Sequence, residues 1–171
     1  TRSTDFITPK SQVSRDFRDA VLELARDHDF ARPLVNSGRL SAPTPYAKSP
    51  LNTPDEASFA GRMTPGTNAT DAPIKADGAE GWFLNKLGDR FVAVTFDTEP
   101  GVTTVDAGGI TVDVLVVGKD IEDVRGRLKE RYDGAPGTTY LFRPDQHVAA
   151  RWREFDPARI SAAVDRATAR A

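Results

Sequence analysis

Apolar residues at Val13, Phe17, Ala20, Val21, Leu24 and Ala25 fall three and four apart, the spacing of one helix face, and predict a helix over residues 11–28. Ser11 stands at its N-cap position. An amphipathic helix needs a body on which to bury its stripe, and that body need not lie in this chain. Residues 41–76 break the pattern: six of the twelve prolines lie there among Ser, Thr, Asn and Gly, with no period of 2 or 3.6. This stretch reads as a proline-rich connecting arm. Leu51, Phe59, Met63 and Ile74 are spaced along it as anchors for lying over a larger surface.

Beyond the arm the pattern sharpens. Residues 77–87, with Trp82, Phe83 and Leu87, predict a short helix or turn. RFVAVTFD (90–97) alternates and is rich in β-branched and aromatic residues, as strands are. ITVDVLVVG (110–118) predicts a second strand, apolar enough in its second half to be central in a sheet. The segment between them has room for a degenerate helix. Asp120 then reads as the cap of a helix with Ile121, Val124, Leu128 and Tyr132 on one face, and Gly134 is placed to end it. Residues 138–143 and 148–155 predict two strands joined by Pro144-Asp145-Gln146-His147. Asp156-Pro157 opens a last helix with Ile160, Ala163, Val164 and Ala167 inward.

A strand, a crossover helix and a strand, then a hairpin and a closing helix, is the layout of the second half of a thioredoxin-like fold. The expected class is therefore α/β: a mixed sheet flanked by helices, preceded by a helix and the arm. Pro136 in GAPGTTYLF sits one residue further from its strand than the proline of that fold, which leaves its cis or trans state open. The redox dithiol of that fold would follow the first strand, where this chain has TEPGVTTVDAGG. The sequence contains no cysteine, so disulfide exchange, thiolate zinc sites and a thiol nucleophile are excluded together.

Charge adds a second exclusion. With 23 basic and 25 acidic side chains the net charge is −2, which offers no electrostatic footprint for nucleic acid or an anionic membrane. No apolar run approaches the roughly 20 residues of a membrane span, and the start lacks the order of a signal peptide. The expectation is a cytoplasmic protein. A chain starting at Thr1 and running at once into a helical pattern reads as a piece of a longer polypeptide.

The stretch YLFRPDQHVAARW (140–152) gathers Arg143, Asp145, His147 and Arg151. A pair such as Asp145 and His147 could serve acid–base chemistry without a cofactor, but Pro144-Asp145 argues for a turn. Pro144 takes its second position, Asp145 points to solvent, and Arg143 and Arg151 are exposed cross-strand neighbours. His28 and His147 are the only histidines, and the long connector between them speaks against a joint metal site. Trp82 and Trp152 read as core or interface residues before ligand platforms. Gly108-Gly109 and Gly134 to Gly137 form neither G-x-G-x-x-G nor a P-loop, so the chain carries no nucleotide fingerprint. No catalytic, cofactor-binding or metal residue is assigned; Arg143, Asp145, Arg151 and Trp82 remain as candidate interface residues.

Several stretches together resemble a known family. LARDHDFARPLVNSGRLSAPTPYAKSPL (24–51), the PG…DAP pattern at 65–73, GWFLNKLGDRFVAVTF and the R-P-D-x-x-V-A-x-R pattern at 143–151 resemble, in that order, the C-terminal part of FAD-dependent aromatic-ring hydroxylases. The type meant is that of phenol hydroxylase and 3-(3-hydroxyphenyl)propionate hydroxylase. The resemblance implies a parent enzyme that uses FAD and NAD(P)H to hydroxylate a phenolic ring in domains absent here. It implies residues 1–40 as the helical tail of the catalytic part, 41–76 as the arm, and 77–171 as a thioredoxin-like domain without the dithiol. The role implied for that domain is non-catalytic, stabilising or contacting subunits, with the FAD and substrate domains as partners and a homodimer as a further one. The competing reading is an independent, cysteine-free thioredoxin-like binding or dimerisation module.

Overall fold

A computed structural model describes residues 6–31 and 44–170, and the chain divides into two units, Thr1–Pro43 and Thr44–Ala171. The expected border between helical tail and arm, at residues 40 and 41, lies outside the described residues.

The first unit carries helix α1, Gln12–Asp27, followed by a 3₁₀ turn at Asp29–Ala31. Ser11 caps it as expected: its hydroxyl accepts from the Ser14 N–H at 3.1 Å, satisfying one of the free donors of the first turn. Of the expected stripe, Val21 is buried, while Val13, Phe17 and Leu24 are exposed, Val13 to 78%.

The second unit is built on a five-stranded mixed sheet. Strands β1 (Pro73–Ala76) and β2 (Ala79–Trp82) form a separate hairpin; β3 (Phe91–Phe96), β4 (Thr104–Ala107), β5 (Ile110–Val117), β6 (Thr139–Phe142) and β7 (Val148–Trp152) make the main sheet. Its order is β4-β5-β3-β6-β7, with β3 parallel to β5 and every other pair antiparallel. All six residues of β3 are buried, because alternate side chains feed two different cores. Val92, Val94 and Phe96 join Phe83, Tyr132, Tyr140 and Phe142 on one face. Phe91 and Ala93 join Val112, Leu141, Trp152 and Ile160 on the other. Helix α2 (Arg127–Tyr132) supplies Leu128 and Tyr132 to the first core; helix α3 (Pro157–Ala167) supplies Ile160, Ala163 and Val164 to the second.

Four expectations are corrected. Residues 77–87 are not simply a helix or turn: Asp77-Gly78, both at positive φ, close the β1–β2 hairpin, and only Phe83–Lys86 is 3₁₀. Between β3 and β5 there is no degenerate helix; β4 pairs with β5 across Gly108-Gly109, both again at positive φ. The helix expected from Asp120 begins only at Arg127, after Gly126 in the left-handed region. Asp120 instead accepts the Val116 N–H within a turn, and Glu122 bridges to Lys75 in both directions, which holds Ile121 and Glu122 in bridge pairing. Gly134 does not supply the left-handed ending, which falls on Asp133 (φ 47); a Cβ at Gly134 would meet the Phe96 ring at 2.4 Å, so close approach explains the glycine. The Ala135–Pro136 peptide is trans.

Residues 44–72 contain neither helix nor strand, yet bury Met63, Ala69 and Ala72 in the first core. They also run along the outer edge of β7. Thr53 donates to the Ala149 carbonyl, Gly66 donates to that of Val148, Val148 donates to that of Thr67, and Ala69 donates to that of Gln146, all at 2.7–2.9 Å. An edge that would otherwise present unpaired N–H and C=O groups is thereby closed.

Candidate functional site

The β6–β7 connection is the turn expected from Pro144-Asp145. Gln146 N–H donates to the Arg143 carbonyl at 2.9 Å, Arg143 N–H donates to that of His147 at 2.8 Å, and Gln146 takes φ 63. A tight turn followed by one left-handed residue is a common short hairpin connection. Gln146 then reaches the carbonyls of Leu84 and Leu87 at 3.1 and 3.3 Å, tying the tip to the 3₁₀ segment.

Asp145 and His147 do come together. His147 Nδ1 lies 3.1 Å from the Asp145 carbonyl oxygen and 3.3 Å from its carboxylate, and the imidazole sits 5.4 Å from the Tyr46 ring. The carboxylate, however, is clamped by the Arg143 guanidinium and accepts the His147 N–H. Partial burial works to raise the Asp145 pKa, but Arg143 and the His147 N–H outweigh it and hold the carboxyl below its usual value. Asp145 thus pairs with the Arg143 guanidinium and the His147 N–H, and these contacts hold the turn. Among the described residues no group of three or more His, Cys, Asp or Glu side chains could hold a metal ion.

The expectation that Arg143 and Arg151 are exposed cross-strand neighbours is corrected for both: Arg143 is partly buried and pairs with His147, and Arg151 lies opposite Tyr140. Arg151 departs furthest. It is only 4% exposed; its Nε and Nη2 meet both carboxylate oxygens of Asp55 at 2.9 and 2.6 Å, and its Cζ stands 4.3 Å from the Phe59 ring centroid. Arg153 approaches the opposite end of the same motif, with its Cζ 3.9 Å from that ring and bonds to the Ser58 carbonyl and Asp133. Two guanidinium groups and one ring thus fasten residues 55–59 to the sheet, by bidentate pairing and cation–π contact. Pattern alone could not find this: Asp55 and Arg151 are 96 positions apart, and Asp55 sits in a stretch without periodicity. Trp152 is core, whereas Trp82 is 54% exposed.

Asp133 is held below the usual carboxylate range by the Arg153 guanidinium first, then by the Ala60 N–H. A carboxyl depressed on folding stabilises the fold above its unfolded value of 3.8, and the contribution is lost as pH falls through the lower folded value. Asp133→Asn should therefore flatten the decline of the urea midpoint below about pH 4 relative to the parent chain; an unchanged acid profile would refute this role.

Dinucleotide binding has no cradle among the described residues. The parallel strand β3 runs into a loop and β4, not into a helix whose first turn would face a pyrophosphate. The first-turn N–H groups of Ala158 and Arg159 in α3 are already taken by Asp156. No helix of the described residues is long and apolar enough to cross a membrane.

What the architecture resembles is nonetheless informative. No family model matches the sequence and no curated protein matches it. Solved flavin-dependent monooxygenases contain a segment of the same fold. Aklavinone-11 hydroxylase, solved with FAD and aklavinone, matches at a TM-score of 0.58 and 19% identity over 70% of this chain and 25% of its own. The flavin-dependent monooxygenase PieE, in complex with FAD and substrate, matches at 0.58 and 19% over 98% of this chain and 31% of its own. RebC, a rebeccamycin biosynthetic enzyme solved with bound 7-carboxy-K252c, matches at 0.55 and 23% over 95% and 30%. The chain spans about a quarter to a third of the length of the solved chains it matches.

Proposed function

We propose that this chain is the C-terminal part of an FAD-dependent monooxygenase acting on an aromatic substrate, and that it takes no part in the chemistry. One observation carries the reading: flavin enzymes share its fold over nearly the whole of this chain, while it accounts for under a third of theirs. The order of residues 90–171, with a central strand parallel to one neighbour and antiparallel to the other and one helix on each face, supports a thioredoxin-like domain. The absence of cysteine removes that fold's redox chemistry. What is left to the domain is stabilisation and contact. The exposed apolar stripe of α1 suits a helix that lies on the flavin-bearing part of the parent enzyme, and the parent's NAD(P)H site belongs there too.

The purified chain, titrated with FAD and dialysed, is expected to remain colourless. Stoichiometric retention of yellow flavin would overturn the division of labour. The reading frame upstream of Thr1 is expected to encode a G-x-G-x-x-G strand–helix fingerprint; its absence would favour the independent module instead.

A further inference from the structure

The β1–β2 hairpin lines one side of a hollow of about 420 Å3. On β2, Glu80 and Trp82 are two positions apart and so share a face, with Pro73 directly opposite Trp82. Val124 and Arg125, in the turn before α2, line the hollow from a distant part of the chain, and Asn85 of the 3₁₀ segment lines it as well. Trp82 and Val124 are about half exposed there. A second hollow, of about 290 Å3, adjoins it through Glu80, Gly81, Trp82 and Asn85.

The polar ends around this hollow engage nothing in the fold. Among the described residues, the Glu80 carboxylate, the Arg125 guanidinium, the Trp82 indole N–H and the Asn85 side-chain amide make no hydrogen bond or ion pair. Arg125 stands out in this, since most arginines of the second unit meet a carboxylate. Glu80 and Arg125 line one hollow yet do not pair with each other, so a negative and a positive group stand apart with an aromatic surface beside them. Apolar walls, a few convergent polar groups and a volume within about 300–1,000 Å3 are the marks of a small-molecule site.

We propose that the hollow binds a small zwitterion with an apolar body, an α-amino acid that carries an aromatic side chain. Its ring lies on Trp82 and Val124, its ammonium group faces Glu80, and its carboxylate faces the Arg125 guanidinium, whose planar fork of donors matches two carboxylate oxygens. Charge decides among the candidates. An aromatic acid without an amine brings a second negative charge toward Glu80, and an aromatic amine without a carboxylate brings a second positive charge toward Arg125. A neutral ring strips water from both charges and gives neither a partner. A ligand with both charges answers both, and discrimination of this kind rests as much on the mismatch with the wrong ligand as on contacts with the right one. The charges face solvent, so the affinity is modest and falls as salt is added. The inference is independent of the flavoenzyme reading.

Titration of the nitrogen-15-labelled 171-residue chain with L-phenylalanine at low salt tests it. The two tryptophans give two indole N–H signals in a proton–nitrogen correlation spectrum: that of Trp82 reports the hollow, and that of Trp152, 3% exposed in the core, is the internal control. The Trp82 signal is expected to shift saturably and the Trp152 signal to stay. The analogue 3-phenylpropionate, which lacks the ammonium group, and 2-phenylethylamine, which lacks the carboxylate, are each expected to bind about fivefold more weakly, the upper range for an exposed charge pair. Glu80→Gln should abolish the preference for L-phenylalanine over 3-phenylpropionate, and Arg125→Gln the preference over 2-phenylethylamine. The rest of each variant's spectrum should stay unchanged, as neither side chain makes a bond within the fold. No saturable shift at Trp82, a one-charge analogue that binds as tightly as L-phenylalanine, or variants that keep both preferences would each overturn the proposal.

Discussion

Asp55→Ala is expected to destabilise the second unit by about 3–5 kcal/mol, the range seen when one partner of a buried ion pair is removed. The size follows from which partner remains. Arg151 is 4% exposed and packed against Phe59, so without Asp55 its guanidinium stays buried with no counter-charge. The reverse change, Arg151→Met, leaves Asp55 on a side chain 30% exposed, where water can take over, and should cost distinctly less. The asymmetry is the diagnostic. Urea unfolding of the two variants separates a buried-charge penalty from mere loss of an attractive contact; equal effects would show that burial of Arg151 is not the governing term. Loss of Asp55 also loosens residues 54–57, which then hang between the Thr53–Ala149 and Ser58–Arg153 bonds, so limited proteolysis should cut there first.

Tyr132→Ala is expected to cost about 3–5 kcal/mol, as for other large buried aromatic side chains. Tyr132 is 1% exposed and touches three rings, those of Tyr140, Phe83 and Phe142, at centroid distances of 5.2, 5.4 and 5.8 Å in edge-on arrangements. Its hydroxyl both donates to the Thr70 carbonyl and accepts the Thr70 N–H at 2.8 Å, while its own carbonyl accepts the Tyr140 hydroxyl. Tyr132→Phe keeps the ring and deletes only the first two bonds, leaving a main-chain donor and acceptor at Thr70 without partners. About 1–2 kcal/mol is the expected cost. Desolvation pushes the Tyr132 phenol well above its ordinary pKa, so absorbance titration should find its ionisation only where the fold itself fails in alkali. A Tyr132→Phe variant as unstable as Tyr132→Ala would refute the partition between ring and hydroxyl.

Four of the five strands of the main sheet, β3, β5, β6 and β7, and the closing helix are legible because their determinants are local. FVAVTF and ITVDVLVV declare themselves by β-branched content, and Asp156-Pro157 by capping chemistry; the observed ends differ from the expected ones by at most a few residues. The turn at Pro144-Asp145 was legible for the same reason. The β1–β2 hairpin is not legible although Asp77-Gly78 is a strong turn signal, because Pro73, Ala76, Ala79 and Gly81 are poor strand formers and residues 73–76 belong to a proline-rich, aperiodic stretch. The late start of α2 is not legible, because periodicity extends through Ile121 and Val124, whereas bridges at Ile121 and Glu122 and a turn at Val124 and Arg125 take up those residues first. Propensity lost to tertiary pairing there. At the candidate site the same division holds: Arg143 with Asp145 is a contact between near neighbours, while Arg151 with Asp55 depends on the whole chain being folded.

The closure of β7 by residues 53–69 also orders events in time. Asp55, in this segment, is synthesised nearly a hundred positions before its partner Arg151 on the strand the segment covers. Contacts of such sequence separation form late and slow the approach to the native state. Until residues 148–152 are available the early segment has nowhere to dock, and until it docks the newest strand stands open to other chains. Crowded nascent chains of this protein are therefore most exposed to aggregation between the synthesis of β7 and its docking, at that strand and not at the proline-rich segment.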